Sequence, residues 1–215
     1  YSNLGTVLFA LGRYPEAADA FRRAVSPEHG SPNDYQRWSN LADALRHVPG
    51  REEAATQAYV TTLGLMAPLL ARAPDDVTLL SRAALVRAKL GQCDPALADA
   101  DRARPRAGAD GDALFRLAHA NELCGRRAAA FDDLIAALQR GYPIQFVLEE
   151  PDLVTLRRDP RFQKRVLGEP ILSEGMALWL MRIVLIAAVV GHVWSAVVLT
   201  RQDWAARPEK YAGGR

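Results

Sequence analysis

The chain has 215 residues, of which 49% are hydrophobic, and its 27 Lys and Arg residues nearly balance 25 Asp and Glu residues. This length and composition allow a sizeable buried core. Residues 170–215 hold five basic and three acidic side chains, which leaves 22 of each sign in residues 1–169. The first part of the chain therefore lacks the positive excess typical of nucleic-acid-binding proteins.

The first 25 residues, YSNLGTVLFALGRYPEAADAFRRAV, predict two helices joined by a tight turn. Apolar or small side chains recur at intervals of three and four residues, as on one face of a helix: Leu4, Gly5, Leu8, Ala17, Phe21 and Ala24. Gly12 can end the first helix, and Pro15 can lie in the first turn of the second. One such hairpin cannot bury its apolar face alone, so the pattern is expected to return.

The pattern returns in WSNLADALRHVPGREEAATQAYVTTL, LLSRAALVRAKLGQCDPALADADRA and LFRLAHANELCGRRAAAFDDLIAAL. Each segment has a small residue after its turn, at the position of Ala17: Ala55, Ala96 and Ala130. Gly91 and Gly125 lie 34 residues apart. The third segment fits least well, because Arg87 and Ala100 stand where the first has large apolar residues.

A helix–turn–helix unit of about 34 residues, with aromatic, leucine, glycine and alanine positions in this order, is the signature of the tetratricopeptide repeat (TPR). Residues 1–140 therefore resemble a TPR array. The resemblance implies an all-α, right-handed helical solenoid of about four helix pairs, and an unrelated helical bundle is the alternative. Tyr1 matches a position inside a TPR unit, and no polar capping repeat is visible before it, so the array is expected to be truncated at its N-terminus.

In TPR proteins the first helices of the units form a concave groove, and the resemblance implies which residues face it. The usual offsets give Thr6, Phe9, Ala10, Ser39, Asp43, Arg46, His47, Ser81, Leu85, Ala88, Lys89, Phe115, His119 and Glu122. A protein or peptide partner is expected in this groove. The clamp that some TPR domains use for chaperone C-termini is disfavoured, because Asn3 and Asn40 occur without the lysine that it needs.

Residues 141–169 interrupt the long periodicity with Pro143, Pro151 and Pro160, and they predict short helices that cover the end of the last repeat. NDYQRWSNLADALRHVPG together with DLVTLRRDPRFQ is similar to the C-terminal TPR regions of bacterial signalling proteins, particularly eukaryotic-like serine/threonine kinases and related adenylate cyclases or winged-helix regulators. The chain itself has no kinase glycine-rich loop, HRD or DFG motif.

Residues 176–200 predict a hydrophobic helix, followed by a polar tail at 201–215. The apolar stretch MALWLMRIVLIAAVVGHVWSAVVL covers residues 176–199 and would extend about 36 Å as a helix, enough to span a bilayer. An anchor in the inner membrane is expected, although His192 and Ser195 are polar residues well inside the span. A helix docked along the solenoid and a tail produced by a reading-frame accident are the alternatives. Basic residues on both sides leave the orientation undetermined.

Cys93 and Cys124 lie near the turns of the third and fourth units, without a paired spacing such as CxxC. Two isolated thiols fit a reducing compartment better than a disulfide framework. The sequence therefore predicts free thiols and a cytoplasmic location for the TPR region.

Motifs for phosphate, zinc and acyl-transfer chemistry are absent from the sequence, which has no GxxxxGK[ST], GxGxxG, HExxH or GxSxG. His119 and Glu122 lie three residues apart and could share a metal ion, but a solvated pair is favoured because no second His or Cys is near. Four aspartates are likewise expected on solvated faces: Asp99, Asp101, Asp132 and Asp133. We expect no catalytic residues, metal or cofactor.

Two functions remain open. One is a protein-interaction scaffold, held at a membrane through residues 176–199. The other is the non-catalytic regulatory part of a signalling enzyme, a serine/threonine kinase or adenylate cyclase, whose catalytic domain lies upstream.

Overall fold

A computed structural model describes residues 1–167 and 174–205, and every regular element in these two ranges is helical. The predicted all-α class is confirmed. The chain divides into two compact units: Tyr1–Val166, and a second that begins at Leu167.

Eight helices of the first unit pack as four consecutive pairs. They are α1 (Ser2–Ala10) with α2 (Tyr14–Ala24), α3 (Tyr35–Arg46) with α4 (Glu52–Arg72), α5 (Val77–Lys89) with α6 (Cys93–Ala103), and α7 (Gly111–Leu123) with α8 (Arg127–Gln139). Short elements follow: α9 (Ile144–Glu149), a 3₁₀ turn (Pro151–Leu153), α10 (Val154–Arg157), α11 (Pro160–Phe162) and a π-helical turn (Gln163–Leu167). We refer to residues 141–166 as the cap.

The turn inside three of the pairs has the same hydrogen bonding. The backbone N–H groups of Arg13, Gln92 and Arg126 each donate to the carbonyl five residues earlier, at 2.8–2.9 Å. The glycines before them, Gly12, Gly91 and Gly125, have φ angles of 71°, 72° and 78°. This is the Schellman ending of a helix, in which glycine adopts the left-handed conformation without a steric penalty.

The first helices of the later pairs begin in the same way. Asp34, Asp76 and Asp110 are N-caps, and the carboxylate of each accepts a hydrogen bond from a backbone N–H in the first turn. Asp76 and Asp110 lie 34 residues apart, as do the turn glycines of the same two pairs. The wider interval before Asp76 reflects α4, which has 21 residues where α2 has 11.

Small residues allow the helices to approach closely. Seven alanines at the repeated positions are at most 3% exposed: Ala17, Ala42, Ala55, Ala84, Ala96, Ala118 and Ala130. A Cβ atom added at Gly5 would lie only 2.6 Å from the Phe21 ring. The interhelical spacing therefore depends on the small side chains that define the repeat.

Polar pairs replace apolar contacts in the last two helix pairs. Arg87 of α5 donates to Asp99 of α6, and Asn121 of α7 donates to Asp133 of α8 at 2.9 Å. Asp99 is 7% exposed and Asp133 is fully buried, so the prediction that these two aspartates lie on solvated faces is wrong. Each carboxylate is held by a partner on the preceding helix, which explains why the third segment tolerates Arg87.

Cys93, at the start of α6, and Cys124, at the end of α7, form a disulfide bond, with their Cα atoms 5.4 Å apart. The prediction of free thiols is therefore wrong. The sequence spacing hid the pairing because the two residues belong to turns of successive units, which the stacking brings side by side.

The second unit contains α12 (Glu174–Ala205). Its segment Met181–Gln202, with 22 residues and a mean hydropathy of 2.3, is long and apolar enough to cross a membrane. The hydroxyl of Ser195 donates to the carbonyl of Gly191 at 3.0 Å, which satisfies that polar group within the helix. The predicted polar tail at 201–215 begins inside α12, and its residues 206–215 lie outside the described residues, as do residues 168 and 169 of the predicted capping segment.

Replacing Ala55 by Phe should lower the free energy of unfolding by about 1–3 kcal/mol, because the larger ring overpacks a helix crossing. Ala54→Phe is the matched control, since Ala54 is exposed on the same helix. Urea denaturation of the full chain in dodecyl maltoside measures both. Equal stabilities of the Ala55→Phe variant and the wild type would contradict the packing described here.

Candidate functional site

Predicted groove residues from two helices meet around one carboxylate of the cap. Asp152 lies in the 3₁₀ turn, and its Oδ2 accepts a hydrogen bond from Arg46 Nη1 of α3. The same oxygen lies 3.0 Å from Nε2 of His119, on α7. The side chain of Asp152 is 10% exposed and that of His119 is 1% exposed. The cap is therefore tied to the second and fourth helix pairs by a mostly buried ionic contact.

A second carboxylate lies beside the first. Asp43 of α3 accepts hydrogen bonds from Lys89 Nζ of α5 and from the hydroxyl of Tyr59 of α4. We call these two sets together the central polar cluster: Asp43, Arg46, Tyr59, Lys89, His119 and Asp152. Within this cluster Asp43 pairs with Lys89, and Asp152 pairs with Arg46.

The pKa shifts agree with these pairings. Burial alone would raise the pKa of Asp152, but the hydrogen bond and charge of His119, with the charges of Lys89 and Arg46, hold it well below its usual range. Burial, reinforced by the negative charge of Asp43, raises the pKa of Tyr59 far above its ordinary value. Asp152 therefore stays ionised at neutral pH, and Tyr59 stays a neutral donor.

Glu122 also forms hydrogen bonds within the protein. Its carboxylate accepts hydrogen bonds from Arg127 of α8 and, at 3.0 Å, from the Thr155 hydroxyl of the cap. The prediction that His119 and Glu122 form a solvated pair is therefore wrong: their side chains are 1% and 5% exposed, and each contacts the cap separately. Together these contacts place the cap over part of the surface that was predicted to bind a partner.

An open cleft lies between the first helix pair and the cap. Its volume is about 460 Å³, and it is partly open to solvent. We call it the aromatic cleft, and its lining is Thr6, Phe9, Ala10, Leu11, Gly12, Tyr14, Phe115, Tyr142, Phe146, Glu149, Glu150 and Pro151. Four of the predicted groove residues thus border an accessible space: Thr6, Phe9, Ala10 and Phe115.

The rings of the aromatic cleft form two groups. Phe9 and Tyr14 meet edge to face at 5.2 Å between centroids, and Tyr14 lies 4.6 Å from His47. On the cap side, Phe115 stacks on Tyr142 at 4.3 Å, and Tyr142 lies 6.1 Å from the half-exposed Phe146. Burial lowers the pKa of His47, so its imidazole is neutral at neutral pH.

Two further predicted groove residues, Ser39 and Leu85, lie at a smaller pocket, whereas Ala88 is buried in the hydrophobic core, contrary to prediction. Ser39, Asp43 and Leu85 line it with Arg82 and Arg116. Ser81 is fully buried, and its hydroxyl accepts a hydrogen bond from Arg116 Nε at 3.0 Å. This pocket is more enclosed than the aromatic cleft and carries two guanidinium groups.

His119, Glu150 and Asp152 bring three potential metal ligands within 4.8 Å of one another. Arg46 and Lys89 place positive charge beside the same carboxylate. This charge disfavours a cation there, because Asp152 would have to exchange its bond to Arg46 for a bond to the metal. The geometry therefore fits an internal ionic network better than a metal centre.

No known protein-family model matches the chain, and no curated protein sequence is significantly similar to it. The TPR resemblance therefore depends on the residues quoted above.

Among the residues of these sites that sequence reasoning missed are Tyr59, Tyr142, Phe146, Glu150 and Asp152. Four of these five belong to the cap, whose sequence predicted only that it covers the last repeat. The acidic stretch EEPD at 149–152 was the available signal, because it adds three carboxylates in four residues to a chain segment that must pack on the array.

Replacing Asp152 by Asn should lower the free energy of unfolding by about 3 kcal/mol at pH 7, because Arg46 and His119 lose a buried ionised partner. Asp132→Asn, at an exposed position on α8, is the control and should change stability by at most about 0.5 kcal/mol. Urea denaturation of the full chain in dodecyl maltoside measures both.

The pH dependence of the free energy of unfolding gives an independent check of the role of Asp152. The folded pKa of Asp152 lies below the unfolded value of about 3.9. The contribution of Asp152 to the free energy of unfolding is therefore complete above that pH and is lost as the pH falls through the folded pKa. The stability difference between wild type and Asp152→Asn should shrink below about pH 4. A difference that is absent at pH 7, or that grows in acid, would contradict the assignment.

Proposed function

We propose that this chain is a TPR-type protein-interaction scaffold, that it binds a peptide segment of a partner in the aromatic cleft, and that α12 holds it at a membrane. The observation that carries the proposal is the cleft itself, a large concavity with partly exposed aromatic side chains on both sides. Sites that bind peptides and ligands are concave, largely apolar and bordered by a few polar groups.

The repeated local structure supports the TPR assignment. Aspartate N-caps, close-packed alanines and glycine turns recur in successive helix pairs, and two pairs share the 34-residue interval. These features are what a tetratricopeptide unit requires for stacking. They also give the chain a rigid frame on which loops and the cap can present a binding surface.

The cap narrows the binding surface that the sequence predicted. A partner that reached Arg46 or His119 would have to break their bonds to Asp152 and leave a buried carboxylate unpaired. Thr6, Phe9 and Phe115 can be reached without that cost. We therefore assign partner binding to the first helix pair and the cap rather than to the whole row of first helices.

The disulfide is evidence on the cellular compartment in which the helix-pair region lies. Stable disulfides form in oxidising compartments and are rare in the cytoplasm. The argument from free thiols for a cytoplasmic location no longer holds. We propose instead that the helix-pair region lies on the oxidising side of the membrane that α12 would span.

A random heptapeptide phage library tests peptide binding. Peptides selected on the full chain in dodecyl maltoside should include a set that fails to bind the Phe146→Ala variant, because Phe146 is 51% exposed in the cleft. Val60→Ala, at a 48% exposed valine of α4, is the control and should retain that set. If every selected peptide binds Phe146→Ala as well as wild type, the cleft is not the interface.

Membrane attachment is tested by fractionation. The full chain should stay with membranes after washing with high salt and with carbonate, because apolar burial rather than surface charge would hold it there. Val189→Asp, near the middle of the apolar segment, should reduce insertion by about 2.5–3.5 kcal/mol and release a measurable share of the protein. Val60→Asp in α4 is the control. Full release of the wild type by carbonate would overturn the proposed anchor.

A further inference from the structure

We infer that the aromatic cleft takes a basic side chain, lysine or arginine, of the partner's peptide. The inference rests on the proposed function and names the chemistry of the residue that enters the cleft. Three properties of the lining lead to it: its charge, its rings, and the state of the basic groups around it.

The lining of the cleft is acidic. Glu149 and Glu150 border the cleft, and none of its other lining residues is charged. Neither carboxylate forms a salt bridge within the described residues of the helix-pair unit. The Glu150 carboxylate accepts only a long hydrogen bond, 3.4 Å, from the backbone N–H of Asp152. A cation in the cleft would therefore gain two carboxylate partners without displacing an existing one.

The neighbouring basic side chains cannot supply that cation. Arg46 and His119 are bound to Asp152, and Lys89 is bound to Asp43 in a nearly buried position. His47 adjoins the first ring group, but burial lowers its pKa and leaves it uncharged at neutral pH. Arg157 binds the backbone carbonyls of Val147 and Glu150. None of these basic groups forms a salt bridge with the carboxylate of Glu149 or Glu150, so both can pair with a cation from another molecule.

The rings suit a cationic group. The faces of aromatic rings carry partial negative charge and attract ammonium and guanidinium groups within about 6 Å of the centroid. Phe115, Tyr142 and Phe146 form a continuous ring group next to Glu149 and Glu150, and Phe9 and Tyr14 stand on the opposite side. A lysine or arginine stem can lie along these rings while its charged end reaches a carboxylate.

A neutral apolar side chain fits less well. It would cover Glu149 and Glu150 without pairing them, and covering an unpaired carboxylate is unfavourable. An acidic side chain would add repulsion. The charge and the rings thus select the same class of residue.

The phage selection distinguishes this inference from the proposed function. Peptides whose binding depends on Phe146 should contain at least threefold more Arg and Lys than the unselected library. A synthetic copy of the strongest peptide, with each Arg or Lys replaced by the uncharged citrulline, should bind at least tenfold more weakly in fluorescence anisotropy. Its affinity should also fall as salt is added, since ion pairs at an accessible site are screened.

Substitutions in the cleft complete the test. The double variant Glu149→Gln with Glu150→Gln keeps the oxygen acceptors and removes both charges, and it should lose at least tenfold in affinity for the basic peptide. Glu28→Gln with Glu53→Gln removes the same charge at exposed positions outside the cleft and should bind like wild type. Circular dichroism melts establish that both double variants fold.

The outcomes separate the two proposals. If Phe146-dependent peptides exist but are not enriched in Arg and Lys, or bind the Glu149→Gln, Glu150→Gln variant unchanged, the basic-residue inference is wrong and the peptide-binding function stands. If no selected peptide depends on Phe146, the peptide-binding function itself is wrong, and the inference falls with it.

Discussion

The close approach of helices at alanine and glycine positions is the constraint on which the rest of the first unit depends. Seven repeated alanines are almost fully buried, and the space beside Gly5 is filled by the Phe21 ring. Larger side chains at these positions would widen the pairs and move the first helices apart. These small residues, which carry no functional group, thus set the spacing of α3, α5 and α7. The polar contacts among these helices and with the cap depend on that spacing.

Within that frame, the cap has two roles. Leu153, Leu156 and Phe162 complete the core of the last helix pair, which is the role that its position in the sequence suggested. Asp152 also reaches the row of first helices, where its carboxylate pairs with Arg46 and contacts His119. The cap therefore both closes the core and decides which part of the concave surface stays open.

The sequence predicted the helix pairs because their determinants are local. Asp76, Gly91 and Ala96 have the same roles as Asp110, Gly125 and Ala130, and such roles follow from spacing. The site was predictable only in part. The offsets named Arg46 and His119, but their common partner, Asp152, could be identified only by knowing where the cap lies, because Arg46 is 106 residues from Asp152. Spacing along one segment carries no information on such a pairing. The same holds for Cys93 and Cys124, whose separation of 31 residues brings them together only after stacking.

The contact between Arg46 and Asp152 changes how cooperatively the stacked helix pairs should unfold. In a linear repeat protein each unit touches only its neighbours, so the ends can fray independently and stability is nearly a sum of adjacent interfaces. Here the second pair and the cap share one buried carboxylate, and loss of the cap leaves Arg46 and His119 without it. Detachment of the cap is thereby coupled to the middle of the array, so fraying at this end is suppressed. The long sequence separation of this contact also raises the chain entropy lost before it forms, so it should be among the last contacts to form during folding.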